Sequence, residues 1–454
     1  MNRETELALL ADWWNATGAR LGVVWGRRRV GKSALLGRFA SDKPAILHTA
    51  ASRPPADELR LVARAAAEVA RRGLRDLDAR PFVDWTDALE FLAEQAVDEP
   101  VLLVLDEFPE LVAVTPELPS IMRAFWERAR AQTQLRILLS GSAVRTMEAM
   151  QEERAPLYGR VDLALLLHPF EPNEAAAMLP SLSPSDRALV WGLVGGVPLY
   201  LEWWDDTASL SDNLGRLVCT PGGALLNEGQ LVLSTEGDQG HIAAQSLRAI
   251  ALGRSRFGEI RDAVRTDPTR TLERLVALRL IERVVPVTED ERRTRRAVYR
   301  IADNFLAFWL RLVEPLRGAI DHGMGASVLP VLESSLDDFM GPRWEGAFRA
   351  HLRRLAAQND LPKQQIVAIG PWWRDHPAVE IDAVALAGRH RRPVLVGEAK
   401  WARKVDGRRV ARVLAEKARA LPDIADDYAR VVCARVEVEH HDGLDVVTSR
   451  DIFG

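Results

Sequence analysis

A chain of 454 residues, 47% hydrophobic and 27% charged, has globular composition and enough length for about three domains, which excludes a disordered or fibrous protein. With 60 Lys+Arg against 64 Asp+Glu the formal charge is -4, so any nucleic-acid surface has to be a local basic patch rather than a global field. The longest apolar runs, such as Val101 to Leu105 and Leu163 to Leu167, fall far short of the ~20 residues of a membrane span, and Met1 to Leu10 carries charges where a signal peptide is apolar; a soluble, cytoplasmic protein with no membrane partner is expected.

In chain order, the apolar run Leu21 to Trp25 leads into Gly26-Arg27-Arg28-Arg29-Val30-Gly31-Lys32-Ser33, and the periodic Ala34, Leu35, Leu36, Phe39 follows, a strand, glycine loop and helix in succession. Two further buried strands end in polar residues: Val101 to Leu105 before Asp106-Glu107, and Arg136 to Leu139 before Ser140-Gly141-Ser142. Short apolar strands separated by helices predict a parallel sheet flanked by helices over 1–170. Prolines break a helical segment over 171–238, read as a lid, with one sharp turn at Gly195-Gly196-Val197-Pro198. Helices followed by the charged stretch Glu289 to Arg296 between two short strands suggest a winged helix over 239–303, and the apolar helix Phe305 to Leu312 opens a helical linker over 304–340. The remainder, 341–454, reads αβββαβ: helix Trp344 to Leu355, strands Gln365 to Ile369, Val379 to Leu386 and Val394 to Ala399, helix Arg408 to Leu421, strand Arg430 to Val436. The two cysteines, Cys219 and Cys433, are far apart and fit core packing rather than a disulfide or zinc site.

Gly26-x-x-x-x-Gly31-Lys32-Ser33 satisfies the P-loop pattern, in which backbone N–H groups from Gly26 through Ala34 wrap phosphates, lysine reaches the β/γ oxygens and the serine hydroxyl binds Mg²⁺. ATP and Mg²⁺ are the expected cofactors. Asp106 supplies the carboxylate for the Mg²⁺ shell, and Glu107 one to orient or deprotonate the attacking water, which argues for hydrolysis as well as binding. Ser142, with Ser140, is placed to report on the γ-phosphate.

These residues, together with Asn2 to Leu7, Pro156-Leu157-Tyr158-Gly159-Arg160 and Gly195 to Pro198, resemble the archaeal-type AAA ATPase family of the STAND-like P-loop superfamily. The likeness covers roughly the first 300 residues, and Tyr299 to Trp309 resembles the start of the domain that follows this ATPase in many relatives. It implies that Arg160 serves the γ-phosphate or a subunit interface in a homo-oligomer, and that Pro198 sits near the adenine. Read without the resemblance, Arg160 caps a turn or pairs with Asp162.

Asp382 on one C-terminal strand and Glu398-Ala399-Lys400 at the end of the next resemble the site of PD-(D/E)xK nucleases. Alternation puts Glu398 and Lys400 on one face. The resemblance implies that Asp382, Glu398 and the Ala399 carbonyl hold Mg²⁺ or Mn²⁺, that Lys400 orients the water or stabilises the transition state, and that Glu345 is the outer acid. Of the 60 basic residues only six are lysine, and two of those six, Lys32 and Lys400, fall inside motifs. Arginine-rich runs at 292–296 and 389–412 add phosphate-neutralising charge. The sequence thus predicts a multidomain α/β chain in which an ATPase controls metal-dependent DNA cleavage; the alternative is an ATP-driven switch that binds DNA or a protein partner without cutting.

Overall fold

A computed structural model describes residues 3–70, 75–235, 240–363 and 365–454. Asn2, and the expected boundary between lid and winged helix at 238/239, lie outside the described residues. The chain divides into two compact units, Met1–Pro169 and Phe170–Gly454.

In the N-terminal unit, strands β1 (Arg20–Trp25), β2 (Ala45–Thr49), β3 (Leu102–Asp106), β4 (Arg136–Gly141) and β5 (Leu163–Leu166) form one sheet in the order β2-β3-β4-β1-β5. Every pairing is parallel. Parallel strands covered by helices on both faces are largely apolar, which is why β3 and β4 are buried at every position and their centres, Leu102–Leu105 and Ile137–Leu139, read from sequence as apolar runs. Parallel order also gathers the strands' C-terminal ends on one edge, so the loops after β1, β3 and β4 share it. At the opposite edge the buried Arg136 guanidinium donates to the carbonyls of Trp14, Ala16, Gly18 and Gln134, fastening the end of helix Glu4–Asn15 to the sheet.

In the C-terminal unit the segments expected as lid, winged helix and linker share one hydrophobic core instead of separating, with Phe305, Phe308, Trp309 and Phe339 fully buried in it. The Trp309 indole N–H donates to the Leu226 carbonyl at 2.9 Å. The expected helix from Phe305 to Leu312 turns into a π-helical turn at Trp309–Val313. Helices His241–Ala251, Phe257–Val264 and Thr269–Ala277 precede an antiparallel hairpin of β6 (Ile281–Val284) and β7 (Val298–Ile301).

The C-terminal sheet contains β8 (Ile366–Arg374), β9 (Val379–Ala387), β10 (Arg392–Lys400), β12 (Ala429–Ala434) and β14 (Asp445–Val447), in the order β14-β12-β10-β9-β8; β11 (Lys404–Asp406) and β13 (Glu437–Glu439) form a separate parallel pair. Helices Leu336–Gln358 and Gly407–Ala418 complete the expected αβββαβ order, with β8 five residues longer at its C-terminal end, to Arg374, and a further strand, β14, paired parallel to β12. The β6–β7 loop does not project as a free wing. Val287 N–H donates to the Pro371 carbonyl at 2.9 Å, the Trp372 indole to Thr288 Oγ1 at 3.1 Å and Arg296 to the Trp373 carbonyl at 3.1 Å. An open strand edge exposes unpaired backbone groups, and this loop covers the edge of β8.

Candidate functional sites

The phosphate-loop motif lies between β1 and helix Lys32–Ala40. Glycine is required at both ends of the loop: a Cβ on Gly26 would stand 2.3 Å from the Leu167 carbonyl oxygen, and Gly31 takes a φ of 90° as it starts the helix. Lys32 is buried, its Nζ donating to the carbonyls of Gly26 at 2.9 Å and Arg27 at 3.1 Å, so the ammonium is curled inside its own loop. Arg28 and Ala34 are exposed, and Arg29 adopts φ 68°. Val30 is buried, and its carbonyl accepts from Arg3 at 3.0 Å; the same guanidinium donates to the His168 carbonyl at 2.6 Å. Arg3 therefore ties the loop to the chain leaving β5, a role that nothing in the motif itself signals.

Ser33 Oγ donates to Asp106 Oδ2 at 2.6 Å, so a hydroxyl and a carboxylate from distant positions meet beneath the loop, the oxygen-donor pair that suits a hard divalent cation. Glu107 adopts φ 51°, an unusual conformation for a non-glycine residue, and its Oε2 accepts from Ser142 N–H at 3.2 Å and Ser142 Oγ at 2.9 Å. Ser140 is fully buried, and among the described residues its Oγ has no hydrogen-bond partner. Sequence reading also passed over His48 and Glu58. The buried His48 Nε2 lies 2.7 Å from Glu58 Oε2, while Glu58 Oε1 accepts from Ala51 and Arg53 N–H, fixing the turn beside Asp106, whose carbonyl accepts from Ala50.

Arg160 is placed elsewhere. It precedes β5, where Asp162 N–H donates to the Leu21 carbonyl near the start of β1, on the sheet edge opposite the phosphate loop. There it pairs with Glu127 and donates to the carbonyls of Pro156 and Tyr158, whereas Asp162 pairs with Arg20. Arg160 thus caps its own turn, as the reading without the resemblance allowed, and its acidic partner is Glu127 rather than Asp162. Pro198 belongs to the C-terminal unit, where it occupies the first turn of helix Pro198–Trp203, a position that needs no N–H. The preceding glycines are there for close approach: a Cβ on Gly196 would stand 1.9 Å from the Phe170 carbonyl oxygen.

In the C-terminal unit, β9 and β10 pair antiparallel with Ala383 opposite Gly397, which brings Asp382 and Glu398 side by side. Gly397 admits helix Leu336–Gln358 closely, since a Cβ there would meet the Phe348 ring at 2.7 Å; the helix in turn delivers Glu345 and Arg349. Asp382 and Glu398 are 7% and 4% exposed. Asp382 Oδ2 accepts from Ala399 N–H at 2.8 Å, and its backbone carbonyl from Arg349 at 2.8 Å; Arg349 also lies 3.5 Å from Glu345. Burial, and then the charges of Glu345 and Glu398, push the Asp382 carboxyl up to about 7. Crowding of buried carboxylates is what a bound cation relieves, so the residues fit a divalent ion held by two acids and a carbonyl, although among the described residues no group of three or more His, Cys, Asp or Glu has the spacing of a metal site. Lys400 Nζ donates to Glu398 Oε1 at 2.8 Å; burial opposes its charge, but the Glu398 bond and the surrounding acids raise its pKa. Lys417, which the sequence reading did not place here, contacts both Glu398 oxygens at 2.7 Å.

The basic runs are partly neutralised. Arg296 pairs with Glu289, Arg293 with Asp290 at 3.6 Å, Lys404 with Glu439 at 3.0 Å and Arg408 with Asp442 at 3.5 Å. Among the described residues no helix is long and apolar enough to cross a membrane.

Residues 1–203 match the model of an ATPase domain predominantly from Archaea, and residues 309–411 match a family of archaeal and bacterial proteins of unknown function. An uncharacterized protein of Methanocaldococcus jannaschii, MJECL04, is 26% identical over 454 residues, covering 96% of each chain. A second protein of that organism, the uncharacterized ATP-binding protein MJ0423, is 44% identical over 43 residues, 10% of this chain and 73% of its own. Among solved structures, the Walker-type ATPase PABY2304 of Pyrococcus abyssi superposes with a TM-score of 0.51 at 21% identity, over 68% of this chain and 95% of that one. The family match supports an ATPase domain over residues 1–203, and the solved structure shares its fold. The family matched by the segment holding Glu345, Asp382, Glu398 and Lys400 carries no assigned activity.

Proposed function

We propose that the chain is an ATP-hydrolysing switch that controls metal-dependent cleavage of DNA by its C-terminal sheet domain. The ATPase half of the reading rests on the archaeal ATPase-domain match and on the geometry of Lys32, Ser33, Asp106 and Glu107. On nucleotide binding Lys32 exchanges its two loop carbonyls for phosphate oxygens, and Ser33 with Asp106 would hold Mg²⁺, which supplies charge neutralisation of the phosphates. Glu107 has to leave Ser142 to orient the attacking water. Arg160, on the far sheet edge, is left with the role of a subunit-interface arginine in a homo-oligomer.

The observation that carries the nuclease half is the pair of buried carboxylates, Asp382 and Glu398, on adjacent antiparallel strands, with a lysine two residues beyond the second. Asp382, Glu398 and the Ala399 carbonyl would hold Mg²⁺ or Mn²⁺, with Glu345 as the outer acid; the metal supplies Lewis-acid activation and charge stabilisation at a phosphodiester. Lys400 orients the water, and Arg349 fixes the Asp382 backbone. Three helices followed by a hairpin, the element order of a winged helix, fit a DNA-engaging element, with the docked hairpin loop shifting that role from the wing to the helices.

The test incubates the full chain with supercoiled DNA and Mn²⁺. Nicking that disappears in Asp382→Ala supports the reading. Absence of nicking by a protein that still turns over ATP overturns it in favour of a switch that binds without cutting.

A further inference from the structure

Lys417 stands in the last turn of helix Gly407–Ala418, which packs Leu414 and Ala418 against the sheet and aims the lysine at β10. Its Nζ lies 2.7 Å from both carboxylate oxygens of Glu398. A carboxylate gripped through both oxygens by one cation is the arrangement that a bidentate divalent ion adopts. The Glu398 side chain is 6% exposed and already receives Lys400, so the ordinary need of a buried acid for one partner is met before Lys417 arrives. Glu345 and Asp382, with Arg349 and Lys400, crowd the same cluster.

We infer that the Lys417 ammonium is a resident cation occupying the position of a divalent ion on Glu398, and that it sets the metal affinity of the site by having to withdraw before the ion enters. The inference rests on the metal-dependent reading of this site given above. Lys417 is a positioning residue here and not a ligand. Lys400 is less suited to the part: it reaches only Oε1, and its side chain is 48% exposed against 24% for Lys417. An unbranched four-carbon stem at a helix end can swing aside without disturbing a backbone hydrogen bond, and withdrawal leaves both Glu398 oxygens available together.

The experiment titrates Mn²⁺ calorimetrically into the full chain, without nucleotide or DNA, and reads the part of the binding that Asp382→Ala removes. Lys417→Met is expected to raise that affinity about ten-fold or more, because a like charge is removed from the ion's position. Lys417→Gln, neutral but still a hydrogen-bond donor, should give the same increase, and Lys417→Arg should keep the wild-type affinity; a structural prop would respond to shape rather than to charge. Unchanged affinity in folded Lys417→Met and Lys417→Gln, with Asp382-dependent binding intact, overturns the inference and leaves the metal reading standing. Absence of Asp382-dependent Mn²⁺ binding from wild type and both neutral variants overturns both.

Discussion

The two candidate sites handle charge in opposite ways. At the phosphate loop, Lys32 donates to two backbone carbonyls, and the first turn of the helix is exposed at Ser33 and Ala34, where phosphates can enter. At the C-terminal sheet the acids are buried and Glu398 is held by two lysines, so a cation can enter only by displacing one already there. The first site is built to receive an anion, while the second has to be unlocked.

Glu107→Gln sharpens this contrast most: ATP turnover is expected to fall about 10²- to 10⁴-fold, the usual worth of a positioned base, while nucleotide binding persists. Lys32→Ala should cost about 10²- to 10³-fold in turnover by removing one preorganised charge from the phosphates. Asp382→Ala should leave ATP turnover unchanged in a steady-state assay, and a loss comparable to that of Lys32→Ala would break the separation of the two sites.

Most of the first site was legible because it is contiguous. The loop from Gly26 to Ser33 needs only local backbone geometry, and Asp106-Glu107 ends an apolar strand that announces itself. The clamp from Arg3 was not legible, because a guanidinium bonding to backbone carbonyls leaves no partner side chain to recognise. The place of Arg160 was not legible for a related reason: its edge of the sheet is set by the register of β5 on β1, which no local pattern reveals. In the second site strand alternation put Glu398 and Lys400 on one face and the resemblance to PD-(D/E)xK nucleases brought in Asp382, but Lys417 sits 19 positions after Glu398 on a helix whose rotation is fixed by packing. The arginine-rich stretch at 292–296 reads as phosphate-neutralising charge because its composition is that of a solvated loop, whereas in the structure the loop that carries it covers the β8 edge.

Two smaller effects concern the scaffold of the second site. Burial, followed by the nearby Arg354, presses His351 down to about 4 from an ordinary 6.5. The unfolded chain therefore binds a proton between these values that the folded chain refuses. The resulting stability is present in full above pH 6.5 and is lost as pH falls towards 4, by about 3 kcal/mol at most. Melting temperatures across this range should fall less steeply for His351→Asn than for wild type; parallel slopes would mean that the imidazole is protonated in the fold. Gly397→Ala forces a Cβ against Phe348 and should destabilise the C-terminal unit by about 1–3 kcal/mol in denaturant melts, without altering ATP turnover.

The central claim is that the nucleotide site governs the metal-dependent site. Its most direct test follows nicking of supercoiled DNA in Mn²⁺ by wild type and Lys32→Ala, each with and without ATP. The account predicts that ATP changes the wild-type rate and that Lys32→Ala nicks at a rate indifferent to ATP. Wild-type nicking at the same rate with and without ATP, while ATP is being hydrolysed, would contradict it.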